Sequence, residues 1–169
     1  MDEAPSSFWD LKKRDVERSP KKALQALLLR VRQAPPTRLY DAVEEGVPTR
    51  VVLLLAGALS NTVASVMNLI GVSKTTFRRK EEAQEPLPEV AGHRVMGFLR
   101  IVVLLQRMLE ESGDPARLAD FDLEAWVSDW MREPLPELHG KTPAVMLRNL
   151  EGQRIVEDLL LRMRGGLPA

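Results

Sequence analysis

Apolar residues recur at three- and four-residue intervals through most of this chain, and nowhere do they alternate over the length of a strand. That spacing predicts helices. From Pro20, the residues Ala23, Leu24, Leu27, Leu28 and Val31 hold helical register until Pro35-Pro36 stops it. A short helix is expected over 37–45, closed by Gly46, and a largely apolar one over 49–59, capped by Thr49. Val63, Val66, Met67 and Ile70 then mark one face of a helix that Gly71 ends. Residues 90–111 are apolar almost all round, with Val95, Phe98, Leu99, Ile101, Val102, Val103, Leu104, Leu105, Met108 and Leu109. A helix of that kind must be covered on every side, by the rest of its own core or by a mate in a dimer. Asp114-Pro115 caps a further turn, and 122–131 forms a helix with Leu123, Trp126, Val127 and Trp130 on one face. The two tryptophans are read as core. The fold expected is all-α.

The stretch from Trp130 onward has a different texture. Pro134, Pro136, Gly140 and Pro143 fall within ten residues, so the loop has a fixed shape, because each proline sets φ and removes a donor. Thr142-Pro143 reads as the N-cap and first position of a short helix. Asn149 caps the last helix, on which Ile155, Val156, Leu159, Leu160 and Met163 form an apolar stripe, and Gly165-Gly166 stops it.

Charge adds what periodicity does not show. The net charge is zero. Residues 1–80 nevertheless hold 14 Lys+Arg against 8 Asp+Glu, and residues 81–169 hold 10 against 16. Opposite halves of this kind suggest a side that faces nucleic acid and a side with another task. Residues 1–20, polar with Pro and Ser, are expected to form a flexible arm. The basic excess peaks after the Gly71-Val72-Ser73 turn, where 74–80 carries four Lys/Arg in seven residues. Helix, tight turn and short polar-basic helix, at about 61–80, is the layout of a helix-turn-helix, with Val72 and Phe77 as anchors. Hydroxyls and cations at the start of its second helix suit phosphates and base edges. Met67 stands where such turns usually hold a small residue.

Enzymatic signatures are missing. There is no cysteine, hence no disulfide or thiolate metal site. His93 and His139 have no ligand spacing around them. Gly140-Lys141-Thr142 resembles the end of a P-loop, but Leu135 stands where the first glycine is required. The expectation is a protein with no catalytic residues, no cofactor and no metal. No apolar run approaches the ~20 residues of a membrane span, and the charged start lacks a signal peptide's apolar segment; a cytoplasmic protein is expected.

Several of these residues occur together in a familiar order. They are Gly71-Val72-Ser73-x-x-Thr76-Phe77-Arg78-Arg79, then Leu87-Pro88-Glu89, Arg94 and Trp130. Leu138-x-Gly140-Lys141-Thr142-Pro143, Leu147, Glu151-Gly152, Val156-Glu157-Asp158-Leu159-Leu160, Arg162 and Gly166-x-x-Ala169 follow. Over about residues 55–169 the chain resembles the Xre/ParS/MbcA antitoxins, which pair with RES-domain toxins in type II toxin–antitoxin systems. It departs from them at His139, where a glycine is common, and at Pro168, where an aromatic is often seen.

The resemblance implies a DNA-binding and dimerising region over 21–111 and a toxin-binding domain over 112–169. Operator contacts would fall on Ser73, Lys74, Thr75, Thr76, Arg78, Arg79 and Lys80. The toxin, which consumes NAD or transfers ADP-ribose from it, would meet Arg162, Arg164, Gly165, Gly166, Leu167, Pro168 and Ala169, laid over its NAD pocket. The two arginines are expected to pair with acidic groups there. Partners implied are the RES-domain toxin, operator DNA and a second copy bound through the N-terminal helices. The alternative is a helix-turn-helix regulator whose C-terminal domain serves only dimerisation or ligand sensing.

Overall fold

The computed structural model describes residues 7–166, and the fold is all-α. Among the described residues eleven α-helices run α1 Lys13–Arg18, α2 Pro20–Gln33, α3 Pro36–Glu45, α4 Arg50–Ala58, α5 Val63–Ile70, α6 Lys74–Glu82, α7 Glu89–Ser112, α8 Pro115–Leu118, α9 Leu123–Arg132, α10 Pro143–Met146 and α11 Leu150–Arg164. One 3-10 turn, Pro136–Leu138, lies between α9 and α10. The helix α7 is the axis. Its residues Val95, Phe98, Leu99, Ile101, Val102 and Leu105 are buried, and α2, α3, α5, α8 and α11 pack against it. The all-round apolar pattern is thus satisfied within one chain, and one continuous core runs from Phe8 to Leu160.

Capping follows local chemistry. The side chains of Thr62, Ser73, Asp114, Asp122, Thr142 and Asn149 each accept a hydrogen bond from a first-turn amide. Thr49 does not; it is already helical in φ/ψ and its side chain makes no cap.

The N-terminal segment overturns the expectation of a flexible arm wherever it is described. Phe8, Trp9, Leu11 and Val16 are buried in the core. Trp9 Nε1 donates to the Ala42 carbonyl at 2.7 Å. Arg30 donates to the carbonyls of Phe8 and Asp10, and Arg50 to that of Leu11. Four apolar side chains and three tethered carbonyls outweigh the polar composition of the segment.

No single helix among the described residues is long and apolar enough to cross a membrane. The most apolar pair, α4 and α5, is bent by 118°.

Candidate functional site

Two surfaces carry the residues singled out by the sequence. The first is the edge formed by α5 and α6. Gly71 adopts a left-handed conformation (φ 71°), so α5 ends and the chain turns into α6 within three residues. The space above it is taken as well: a Cβ there would run into the guanidinium of Arg94, which reaches from α7 and donates from Nη1 to the Ile70 carbonyl at 3.1 Å. Ser73 Oγ accepts from Thr76 N at 3.1 Å and starts α6. Phe77 is the one buried residue of α6, with Val72 buried just before the helix. Everything else on α6 faces outward or sideways.

Of the seven residues expected on DNA, Ser73, Lys74, Thr75, Arg78 and Arg79 are exposed along this edge. Thr76 is half-buried, its hydroxyl accepting from that of Ser73. Lys80 is held by Glu85 at 3.0 Å, a hydrogen bond that pulls the Glu85 carboxyl below its ordinary range.

The second surface is α11. Its buried side consists of Gly152, Gln153, Val156 and Leu160, set against α7. Gly152 lies directly on the Met146 carbonyl, where any side chain would collide, while its amide donates to Asn149 Oδ1 at 2.8 Å. Gln153 is 6% exposed. Its Nε2 donates to the Arg94 carbonyl at 2.9 Å and to the Leu147 carbonyl at 3.4 Å, fastening α11 to both neighbours.

The apolar stripe expected on this helix divides. Val156 and Leu160 are core, Leu159 is half-buried, and Ile155 (49%) and Met163 (50%) are half exposed. The helix simply carries more apolar residues than one neighbour can cover. Ile155, Leu159 and Met163 fall at i, i+4, i+8 and make a row along one side.

The arginines at the far end play unequal parts. Arg164 clasps Glu111 at the end of α7, Nε to Oε2 at 2.9 Å and Nη2 to Oε1 at 2.5 Å. That pairing raises the Arg164 pKa and lowers that of Glu111. Arg162 is exposed and makes no ion pair within the described residues. Gly165 and Gly166 are exposed; Leu167, Pro168 and Ala169 lie outside the described residues.

The loop before α10 holds α11 in place. Leu135 and Lys141 pair across it, and His139 (φ 54°) and Gly140 (φ 76°) are both left-handed. His139 thus occupies a conformation that glycine adopts more readily. Trp130 is buried and Trp126 half-buried, their rings stacked with centroids 6.3 Å apart. Among the described residues no cluster of three or more His, Asp and Glu side chains is placed to hold a metal ion.

Residues 113–166 match the family model of the antitoxin Xre/MbcA/ParS C-terminal toxin-binding domain. Over these residues the chain is similar to the antitoxins of that family. It is 29% identical over 134 residues to a Prs ADP-ribosylating antitoxin of Sphingobium sp. (strain YBL2), covering 79% of this chain and 82% of that one.

The family match begins at the end of α7 and takes in α8 to α11. Its core therefore includes Val127, Trp130, Leu147, Val156 and Leu160, packed against the central helix. Sequence reasoning missed Gln153, Glu111 and Arg148, which join this segment to α7 and α5. A glutamine flanked by Gly152 and Val156 in the buried register is the one signal that pointed to the first. Nothing local identifies the other two, whose partners lie far away in sequence.

Proposed function

We propose that this antitoxin neutralises a RES-domain toxin that consumes NAD or transfers ADP-ribose from it, by laying the end of α11 and residues 165–169 over the toxin's active site. The observation that carries this reading is the divided face of α11. One side is fixed to α7 by Gln153, Val156 and Leu160, and the other offers Ile155 and Met163 uncovered. A helix held rigidly with an apolar row free has already met the ordering cost of a helix-in-groove contact. The relative's name refers to ADP-ribosylation, which accords with this class of toxin chemistry. The Arg164–Glu111 clasp gives Arg164 a positioning role, and leaves Arg162 as the cation that meets an acidic group on the toxin.

The same antitoxin represses its own operon through α5 and α6, with Ser73, Lys74, Thr75, Arg78 and Arg79 on the operator. It acts as a homodimer through the N-terminal helices, on which Leu29 and Tyr40 (67%) expose large apolar side chains.

Co-expression with the toxin tests the central claim. Deleting residues 165–169 is expected to abolish growth rescue while operator binding stays intact. Rescue by the truncated chain would refute the plug. A regulator without a toxin partner would show no rescue in either form.

A further inference from the structure

The surface cleft between α5 and the C-terminal segment is lined by no acidic side chain. It encloses about 290 Å³. One wall is the outer face of α5, with Ser65 and Asn68, and Asn61 just before that helix; the other wall is Ser128 and Arg132 on α9 with Arg148 just after α10. The remaining lining is apolar, and no Asp or Glu contributes to it. The two arginines are exposed, and neither meets a carboxylate among the described residues. Arg148 Nη2 donates to the neutral Asn68 Oδ1 at 2.5 Å. Arg132 makes no ion pair within the described residues. Two guanidinium groups beside a hydroxyl and amide edge form a donor set suited to a phosphate group, whose oxygens accept bidentately.

We propose that this cleft is a second phosphate-binding site, taking a backbone phosphate of the operator next to the stretch read by α6. The inference rests on the operator-binding reading above. Its geometric support is continuity. Ser65 and Asn68 lie on the first helix of the helix-turn-helix, with Asn61 just before it, and in this motif that helix crosses the DNA backbone while the second enters the groove. Both arginines lie within the segment that matches the toxin-binding domain. The antitoxin's C-terminal part therefore grips DNA directly, instead of only meeting the toxin.

The test is fluorescence anisotropy with the duplex upstream of the antitoxin's own reading frame and a scrambled duplex, over a range of salt concentrations. The full chain is compared with Arg132→Ala/Arg148→Ala, with Arg132→Lys/Arg148→Lys and with Arg78→Ala/Arg79→Ala. The first variant is expected to weaken both duplexes alike, by about tenfold or more, and to lower the slope of log K against log salt by about 2, since each lost phosphate contact removes roughly 0.9. Discrimination between the duplexes should hold, because phosphate contacts carry no sequence information. The lysine variant, which keeps both charges, should retain the slope. An unchanged slope in the alanine variant, with Arg78→Ala/Arg79→Ala still weakening operator binding, would overturn the cleft alone. If the unaltered chain binds neither duplex, the operator reading fails and the cleft assignment with it. Inorganic pyrophosphate titrated into the protein separates the remaining source. Shifts of Arg132 and Arg148 NMR signals with no effect of their removal on DNA would mean a free phosphate ligand, and would overturn the DNA assignment.

Discussion

The helices α6 and α11 carry the two proposed working surfaces, yet they are attached to the molecule in opposite ways. The first buries a single side chain, Phe77, and turns cations and hydroxyls outward. The second buries four residues, adds the hydrogen bonds of Gln153 and ends in the Arg164–Glu111 clasp, while leaving Ile155 and Met163 uncovered. The difference fits what each is proposed to meet. A polyanion is held by charge at the surface, which needs little area behind it. A protein partner is held by apolar area, and a helix that offers such area must be secured from behind or it will turn its apolar row onto its own core.

The largest expected effect comes from removing the lone anchor of α6. Phe77→Ala should cost about 3–5 kcal/mol, the usual range for a fully buried aromatic, and should abolish operator binding in thermal-melt and anisotropy measurements. If stability fell by less than about 1 kcal/mol, α6 would not depend on that anchor, and the comparison with α11 would lose its basis.

Next comes the open row of α11. Ile155→Asp with Met163→Asp places charges where apolar contact with the toxin is proposed, and should weaken toxin binding by about a thousandfold, as expected of two central contact residues at about 2 kcal/mol each. Because both positions are half exposed, the melting transition should move little, within about 0.5 kcal/mol per site. Full toxin affinity in this variant would place the partner on another face.

The securing side of α11 should respond to Gln153→Ala by about 1–2 kcal/mol. The substitution removes two hydrogen bonds to the Arg94 and Leu147 carbonyls and empties a buried site. Hydrogen exchange should show the loss concentrated in α10 and α11, with α6 unaffected. A uniform change across the molecule would mean that Gln153 only contributes to the common core.

Much of this arrangement was legible in the residues, for reasons that are local. Gly71 and Ser73 fix the turn and the start of α6 through the chemistry of their own few neighbours. The same holds for Asp114, Asp122, Thr142 and Asn149 at their helix starts. What was not legible is long-range. The segment around Trp9 reads as a charged tail until Ala42, Arg30 and Arg50 supply its hydrogen-bond partners from 20 to 39 residues away. Arg164 reads as a free cation until Glu111, 53 residues earlier, takes it up. The stripe on α11 was read too broadly because periodicity reports which residues are apolar, not how many of them a neighbour can cover. For a functional surface that excess is the informative part.

The clasp at the end of α11 offers the mildest way to sharpen the contrast. Glu111 is pulled below the ordinary glutamate range chiefly by its hydrogen bond to Arg164, with Arg107 and Arg32 adding to the effect and Glu110 beside it carrying the like charge. A depressed carboxyl stabilises the folded form above its unfolded pKa, and that contribution is lost as pH falls through the folded value. The end of α11 should therefore be fastened at neutral pH and loosen only below the ordinary glutamate range. The Arg164 Nε–H resonance should report this as a shift on acidification, absent in Glu111→Gln, which cannot ionise. Both groups are at the surface, so the change in global stability should be slight. The change in toxin neutralisation should exceed it, since the clasp fixes the last turn of α11, which the proposal sets against the toxin. Equal neutralisation by Glu111→Gln and the unaltered chain would show that the last turn of α11 needs no fixing, and that the fastening of this helix ends at Leu160.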